Sequence, residues 1–417
     1  MARTSSLQFS PFAAVSAPVY IVSFSANTWV AKTANSLYTF ADMAVSGTDG
    51  SVYATGFVEE GGVGRKKMFM MKMDTNSVVQ WAYTTTATAN NLFFYPTGLS
   101  VSPDGALVCC GYVVSNTTSV ASSTGGYFTL HSANGALAQS TPVRIRGTST
   151  SFQYQLGEVG AVTGVSTFFG SIAKHTIEIA NTTRAYAFGW SVSPNGYNQG
   201  TISAFNPTSN SFVYSTTQGG ALTPAQNYRL AGGWVHSNGN VYVALDSQNS
   251  GTSRGAQIWS YNSGGTPSFQ RTFIRTGANL INSAVIPLSI SGNGANVFVG
   301  GAMSSNNTRT LSQDSNGTIW SAQSSNGEVK WVVRYEGMDA MQSLSAGPDD
   351  YLYYLDAYSV FGRVHVANGA INWGNRRLIH AGRVNNGQKI VYKNGKLYIC
   401  TDSLIIATAP DLSLIHI

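Results

Sequence analysis

Short apolar runs alternate with polar residues along the whole chain, and each run is closed by a tight-turn signal. One class of turn recurs as Thr48-Asp49-Gly50, Pro103-Asp104-Gly105, Asn181-Thr182-Thr183, Asn238-Gly239-Asn240, Asn293-Gly294-Ala295, Pro348-Asp349-Asp350 and Asn394-Gly395-Lys396. Each precedes an apolar run: Val52–Val58, Ala106–Val114, Ala185–Val192, Val241–Asp246, Val297–Ala302, Tyr351–Leu355 and Leu397–Thr401. Alternation with a period of two predicts strands, because successive side chains point to opposite faces. Asn, Asp and Gly accept positive φ, so these turns predict hairpins.

A second class of turn falls between the first: Asp74-Thr75-Asn76-Ser77, Ala133-Asn134-Gly135, Pro207-Thr208-Ser209-Asn210, Ser263-Gly264-Gly265, Ser325-Asn326-Gly327 and Ala367-Asn368-Gly369. Two hairpin turns per unit predict four strands, here a, b, c and d. The unit returns at roughly 45–80 residues, mostly in the mid-fifties, near the period of propeller blades. A four-stranded unit with two apolar faces cannot bury itself alone, and radial stacking covers both faces. The a strands, such as Thr97–Ser102 and Ala340–Ala346, hold the small residues that a crowded centre requires. The expected fold is therefore all-β, a single β-propeller of seven four-stranded antiparallel blades. A row of β-sandwiches is the competing architecture, and the steady period without linkers argues against it.

The expected organisation is an N-terminal arm at 1–17 and a propeller at 18–411. Blades are expected at 38–83, 97–143, 173–216, 228–273, 284–335 and 340–379. Residues 18–34 and 388–411 would join as a composite closing blade. In it, Val19–Ser23 and Thr28–Lys32 are expected as c and d, and Lys389–Tyr392 and Leu397–Thr401 as a and b. Leu404–Ala407 competes for the c position, and eight blades stay open if the native chain is longer. Residues 412–417, Leu-Ser-Leu-Ile-His-Ile, match one reading frame of a common transposase sequencing adapter, so the native chain is expected to diverge after Asp411.

The segment Gly50-Ser-Val-Tyr-Ala-Thr-Gly-Phe-Val58, then Met68–Asp74, then Asn76-Ser-Val-Val-Gln-Trp81 resembles the bacterial and phage seven-bladed propeller repeat. Similar Asn-to-Trp spacing occurs at Asn326 to Trp331 and Asn368 to Trp373. The resemblance implies the propeller architecture and no catalytic residues, with the Trp packing between blades. Similarity to quinone-dependent propeller dehydrogenases is weaker, since their denser Trp pattern and charged, metal-bearing centre are missing.

Composition narrows the function classes. Charged residues make up 10% of the 417 and aromatics 12%, with 44 glycines. That suits a turn-rich all-β chain. The net charge of +6 is small, and Arg65-Lys66-Lys67 and Arg376-Arg377 are its only tight basic groups. A nucleic-acid binder would show a basic stripe, so none is expected as partner. Cys109, Cys110 and Cys400 are odd in number and read as core thiols. No stretch is apolar and long enough for a membrane span. Residues 1–18 lack a secretory pattern.

No catalytic constellation is visible. His131, His175, His236, His365, His380 and His416 share no metal-ligand spacing, and Gly-x-Ser-x-Gly is absent. Asp349-Asp350 lacks the carboxylate density of a calcium loop. No cofactor or metal is expected, and the chain reads as no enzyme. The long connections are expected on one face, b to c and d to a. The b–c set is Glu59–Lys67, Ser115–Gly126, Pro194–Gly200, Asn249–Ala256 and Ser304–Gly317. The d–a set is Thr84–Pro96, Arg146–Ile172 and Thr216–Asn227. Binding favours such loops on a rigid scaffold. Candidate binding residues there are Arg65, Lys66, Phe94, Tyr95, Tyr154, Tyr197, Arg254 and Arg309. Aromatic rings with polar neighbours suit glycans or protein subunits. The expected role is a structural and binding module of a virion, such as a phage tail fibre or surface protein, or else of the extracellular surface. A bacterial adhesin and a polysaccharide-active or quinone-dependent enzyme are the alternatives.

Overall fold

The computed structural model describes residues 13–14, 19–25, 28–33, 38–60, 65–84, 92–101, 107–115, 125–131, 143–147, 152–156, 167–168, 177–181, 184–192, 198–206, 211–218, 226–249, 254–273, 284–304, 316–372, 377–378 and 389–410. In chain order the strands begin with β1 (Ala13–Ala14), β2 (Val19–Ser25) and β3 (Thr28–Thr33). Blade 1 is β4 (Tyr38–Val45), β5 (Val52–Glu60), β6 (Arg65–Met73) and β7 (Val79–Thr84). Blade 2 is β8 (Leu92–Val101), β9 (Leu107–Ser115), β10 (Gly125–His131), β11 (Val143–Gly147) and β12 (Phe152–Leu156). Blade 3 is β13 (Thr167–Phe168), β14 (Ile177–Asn181), β15 (Arg184–Val192), β16 (Asn198–Asn206) and β17 (Ser211–Gln218). Blade 4 is β18 (Gln226–Val235), β19 (Val241–Asn249), β20 (Arg254–Tyr261) and β21 (Pro267–Phe273). Blade 5 is β22 (Ala284–Gly292), β23 (Asn296–Ser304), β24 (Asn316–Gln323) and β25 (Val329–Tyr335). Blade 6 is β26 (Met341–Ala346), β27 (Tyr351–Asp356), β28 (Val360–His365) and β29 (Arg377–Leu378). The last strands are β30 (Lys389–Lys393), β31 (Lys396–Cys400) and β32 (Leu404–Thr408).

These strands form seven antiparallel sheets among the described residues. The innermost strands touch in sequence, β4 to β8, β14, β18, β22, β26 and β30, and β30 returns to β4, so the sheets close into a ring. The fold is a β-propeller, as the two-turn repeat predicts. The core lies between blades rather than at one centre. Phe298, Ile319, Leu344, Leu352 and Tyr354 fill the gap between blades 5 and 6, and Phe361, Ile390, Ile399 and Ile406 fill that between blades 6 and 7. In six blades the second or third residue of strand b is an aromatic buried in this layer: Tyr53, Tyr186, Tyr242, Phe298, Tyr353 and Tyr398. Cys109 and Cys400 are free and buried in the same layers. Trp331 in strand d of blade 5 donates its Nε1–H to the Val366 carbonyl of blade 6 at 2.9 Å.

The Tyr-x-x-Gly portion of the repeat has a steric cause. Strand a carries a bulge in blade 1 between Phe40 and Asp42 and in blade 5 between Pro287 and Ser289. Each bulge drives a carbonyl over strand b. A Cβ on Gly56 would sit 2.0 Å from the Thr39 oxygen, and one on Gly301 would sit 2.1 Å from the Ile286 oxygen. In these two blades only glycine fits opposite the bulge, whereas blades 4 and 6 set Leu245 and Asp356 opposite theirs.

The closing blade differs from the expected order. Its sheet runs β2-β3-β32-β31-β30. Leu404–Thr408 takes the c position expected for Val19–Ser23, Thr28–Thr33 is d, and Val19–Ser25 is a fifth, outer strand. The reason is local. A three-residue turn, 401–403, joins β31 to β32, so the hairpin closes with little loop entropy. Ile405, Ile406 and Ala407 are also fully buried, which demands an interior position. Blade 1 likewise gains β1 outside β7, and blade 2 gains β12 outside β11. The segment expected as one long connection, Arg146–Ile172, therefore contains paired strands. Residues 412–417 lie outside the described ones.

Candidate functional site

The antiparallel order puts all a–b and c–d turns on one rim and all b–c and d–a connections on the other. Among the described residues, the a–b turns are tight. In them Gly50, Gly239, Gly294 and Gly395 adopt positive φ, which the turns require. The opposite, open rim is uneven. Several connections expected there as loops are largely strand. β5 and β6 extend to Glu60 and from Arg65, so Arg65 pairs Glu60 and Lys66 pairs Glu59. Blade 4 behaves alike, with Arg254 opposite Gln248. Phe94 and Tyr95 lie in β8 opposite Val113 and Tyr112, and Tyr154 lies in β12 opposite Ile145. Tyr197 and Arg309 fall outside the described residues.

The backbone register therefore places Arg65, Lys66, Phe94, Tyr95 and Arg254 towards the open-rim ends of their strands, and Tyr154 at the middle of β12. Arg65 and Lys66 belong to blade 1, and Phe94, Tyr95 and Tyr154 to the adjoining blade 2. Arg254 belongs to blade 4, so the set is spread around the rim rather than gathered at one point. The b–c turns of blades 6 and 7 are short instead of long, 357–359 and 401–403. Both are locked from within. Asp356 Oδ1 accepts from the Tyr358 and Val360 N–H groups, each at 2.9 Å, and Thr401 Oγ1 accepts from Leu404 N at 3.1 Å.

Sequence reasoning missed the charged pair on the inner strands. Asp42 of β4 accepts from Lys389 Nζ of β30, at 2.9 Å on Oδ1 and 3.0 Å on Oδ2. It also accepts from Leu99 N of β8 at 2.7 Å and from Met43 N at 2.8 Å. One buried carboxylate thus joins blades 7, 1 and 2. With both oxygens engaged by three donors it acts as a structural clamp and is poorly placed as a general base. Serines extend the same device: Ser343 and Ser345 accept from Ile390 N and Tyr392 N of the next blade at 3.1 and 2.8 Å, and Ser291 accepts from Ala346 N at 3.0 Å. No spacing signal could reveal these contacts, since the partners lie in different repeats.

The tight rim carries a second charged motif, in blades 1 and 6. In blade 1, Lys72 Nζ lies 3.6 Å from Asp49 Oδ2 and over the Tyr53 ring. Burial works to raise the Asp49 pKa, but hydrogen bonds from Ser46 and Ser51 and the Lys72 charge overcome it and hold the carboxyl at about 2. In blade 6, the Tyr353 hydroxyl donates to Asp349 Oδ2 at 2.8 Å, and burial with the adjacent carboxylate pushes the phenol pKa upward. His236, one of the histidines weighed as a ligand, bridges turns instead. Its Nδ1 accepts from Asn238 N and its Nε2 meets the Gly294 carbonyl at 3.0 Å. Among the described residues, no group of three or more His, Cys, Asp or Glu could hold a metal ion, and no helix is long and apolar enough to cross a membrane.

No protein-family model and no curated protein matches the chain. Solved structures do match. The WD40 repeats of RRP9 align with a TM-score of 0.50 and 11% identity, covering 96% of this chain and 100% of that one. The structure of U3-55K aligns with a TM-score of 0.50 and 10% identity, covering 91% and 98%. At that identity the likeness is one of fold: a β-propeller of four-stranded antiparallel sheets.

Proposed function

We propose that this chain is a non-catalytic binding and structural module whose partner lies on the open rim. The observation that supports it most is the contrast between rims. The a–b connections run from two to six residues around the ring, whereas the b–c connections vary from three residues in blades 6 and 7 to the connection 305–315 in blade 5. Folding alone needs only the short form, as blades 6 and 7 demonstrate. The excess length is then available for recognition. The buried carboxylates Asp42 and Asp356 are engaged in holding turns and blades, which supports a scaffold rather than a catalyst. Similarity to WD40 propellers supports a protein partner, and aromatic, amide and hydroxyl groups along the loops support a glycan. The setting that fits the low charge and Ser/Thr/Asn-rich loops is a phage or virus particle. There the module would contact host glycans or neighbouring subunits.

The test replaces 116–124 and 305–315 with the three-residue turn of blade 6, Ala357-Tyr358-Ser359. The ring should fold with an unchanged far-ultraviolet spectrum and lose binding on a glycan array or to the subunit encoded beside it. Binding that survives the trimming would overturn the open-rim assignment. A gene remote from any virion gene would overturn the particle setting.

A further inference from the structure

Repetition within the ring shows what each blade does with its outer edge. Blades 1, 2 and 7 cover their fourth strand with a fifth, β1, β12 and β2. Among the described residues, blades 4 and 5 end at their fourth strands, β21 and β25. An outermost strand offers a row of N–H and C=O groups to any chain that can pair with it, unless its side chains forbid the pairing.

The side chains of β21 forbid self-pairing and those of β25 favour it. Both strands begin with a bulge, at Ser268 and Lys330, so their regular edges are 269–273 and 331–335. Such an edge overlaps fully with a second copy of itself in one antiparallel register, centred on its middle residue. For blade 4 that register sets the exposed Arg271 opposite the second copy's Arg271, and like charges directly opposite destabilise. For blade 5 it sets Val333 opposite Val333, Val332 opposite Arg334 and Trp331 opposite Tyr335. The next residues outward, Lys330 and Glu336, are both exposed, and the register brings them opposite each other at both ends. A lysine on an edge usually guards it; here it meets a carboxylate. Lys330 Nζ already lies 3.4 Å from Glu328 Oε2, but these side chains are 43% and 62% exposed, so the contact is weak and the ammonium has donors to share. Val332 is 47% exposed, and the aliphatic stem of Arg334 opposite would cover it. Trp331 and Val333 pack against blade 6, which fixes the strand before a partner arrives.

We propose that two copies of this chain join edge to edge through β25, paired antiparallel about Val333. Four strands from each copy then form one eight-stranded sheet across a two-fold axis. The same patch serves on both sides, so the contact closes at a dimer. Main-chain hydrogen bonds supply the attraction, and the two Lys330–Glu336 pairs fix the register. The surface is on the circumference of the ring, apart from the open-rim loops assigned above, so it stands or falls separately.

The test is sedimentation equilibrium of the full chain from about 1 to 200 μM, where so small a contact should give a dimer with a micromolar dissociation constant. Glu336→Lys and Lys330→Glu each set like charges opposite and should weaken it about tenfold or more. The double variant sets opposite charges together again and should return to within about threefold of the wild type. Arg271→Ala, on the blade 4 edge, should leave association unchanged. All the substituted side chains are exposed, so melting temperatures should hold. If a variant fails to fold, amide exchange of 331–335 in the wild type, slowing as concentration rises, is the second measurement. A monomer throughout the range, which leaves the edge to a foreign strand, would overturn the proposal. So would a dimer that neither reversal weakens, a double variant that stays weak, a dimer lost with Arg271→Ala, or amide exchange at 331–335 that ignores concentration.

Discussion

Lys389 and Asp42 are 347 residues apart in sequence and 3.0 Å apart in space. The pair joins the first strand of the C-terminal blade to the first strand of blade 1. Asp42 also holds Leu99 N of blade 2 at 2.7 Å. The contact therefore ties the C-terminal strands of the closing blade to blade 1, a seam beside the non-covalent closure that β3 makes with β32 inside that blade.

Asp42→Ala should lower stability by about 2–3 kcal/mol, since it removes the ion pair and leaves two strand N–H groups without their acceptor. Lys389→Met should lower it by about 1–2 kcal/mol, because the carboxylate keeps its backbone donors. Urea denaturation of both single variants and the double variant measures the coupling. A coupling energy near zero would show that the pair does not stabilise the seam.

Glycine opposite the bulge is a sharper test of the fold. Gly301→Ala puts a Cβ 2.1 Å from the Ile286 oxygen, a backbone atom that cannot swing away. A loss of about 3 kcal/mol or more, or failure to fold, is expected. Gly337→Ala is the control, with φ +73 and nothing within 4 Å of the added atom. It should lose only about 1 kcal/mol of backbone strain. Thermal melts of the two variants decide the ranking.

Acid should weaken the blade 1 turn through Asp49. The folded carboxyl titrates at about 2 against its ordinary 3.8. A depressed pKa contributes stability above 3.8 that is lost as pH falls through 2. The side chain is 52% exposed, so solvent screening limits the effect to about 0.5 kcal/mol. Urea midpoints of the wild type should exceed those of Asp49→Asn at pH 5 and converge with them near pH 2.

Strand β3 closes the blade through four residue pairs with β32, with Ala31 fully buried between them. Ala31→Glu places a charge in that layer and should release the N-terminal hairpin, with a loss of about 3 kcal/mol or more. Limited proteolysis should then cut within 19–33 while the C-terminal blades stay protected. Uniform digestion of the whole ring would mean that closure is not local.

The four-strand unit was legible because it depends on neighbours in sequence. Turn glycines at 50, 239 and 294 and the Val-Tyr-x-x-Gly strand report local backbone needs, and they predicted the hairpins. The boundary of strand and loop was less legible. Arg65, Lys66, Phe94 and Tyr95 fell in segments read as loops between turn signals, and only the backbone register shows them paired in strands. The order within the closing blade was legible only in part. Leu404–Thr408 and Val19–Ser25 have similar patterns, and burial of Ile405 and Ile406 assigned the inner place.

By itself the sequence determined the class of fold, the repeat and the two-rim polarity, since alternation and turn chemistry act over a few residues. Only the tertiary structure decided which residues meet across blades: Asp42 with Lys389, Tyr353 with Tyr392, and Trp331 with Val366. Those contacts arise from the stacking of one blade on the next, and Asp42 with Lys389 also needs the last blade to meet the first. Stacking brings together positions in different repeats whose pairing carries no signal in the local pattern.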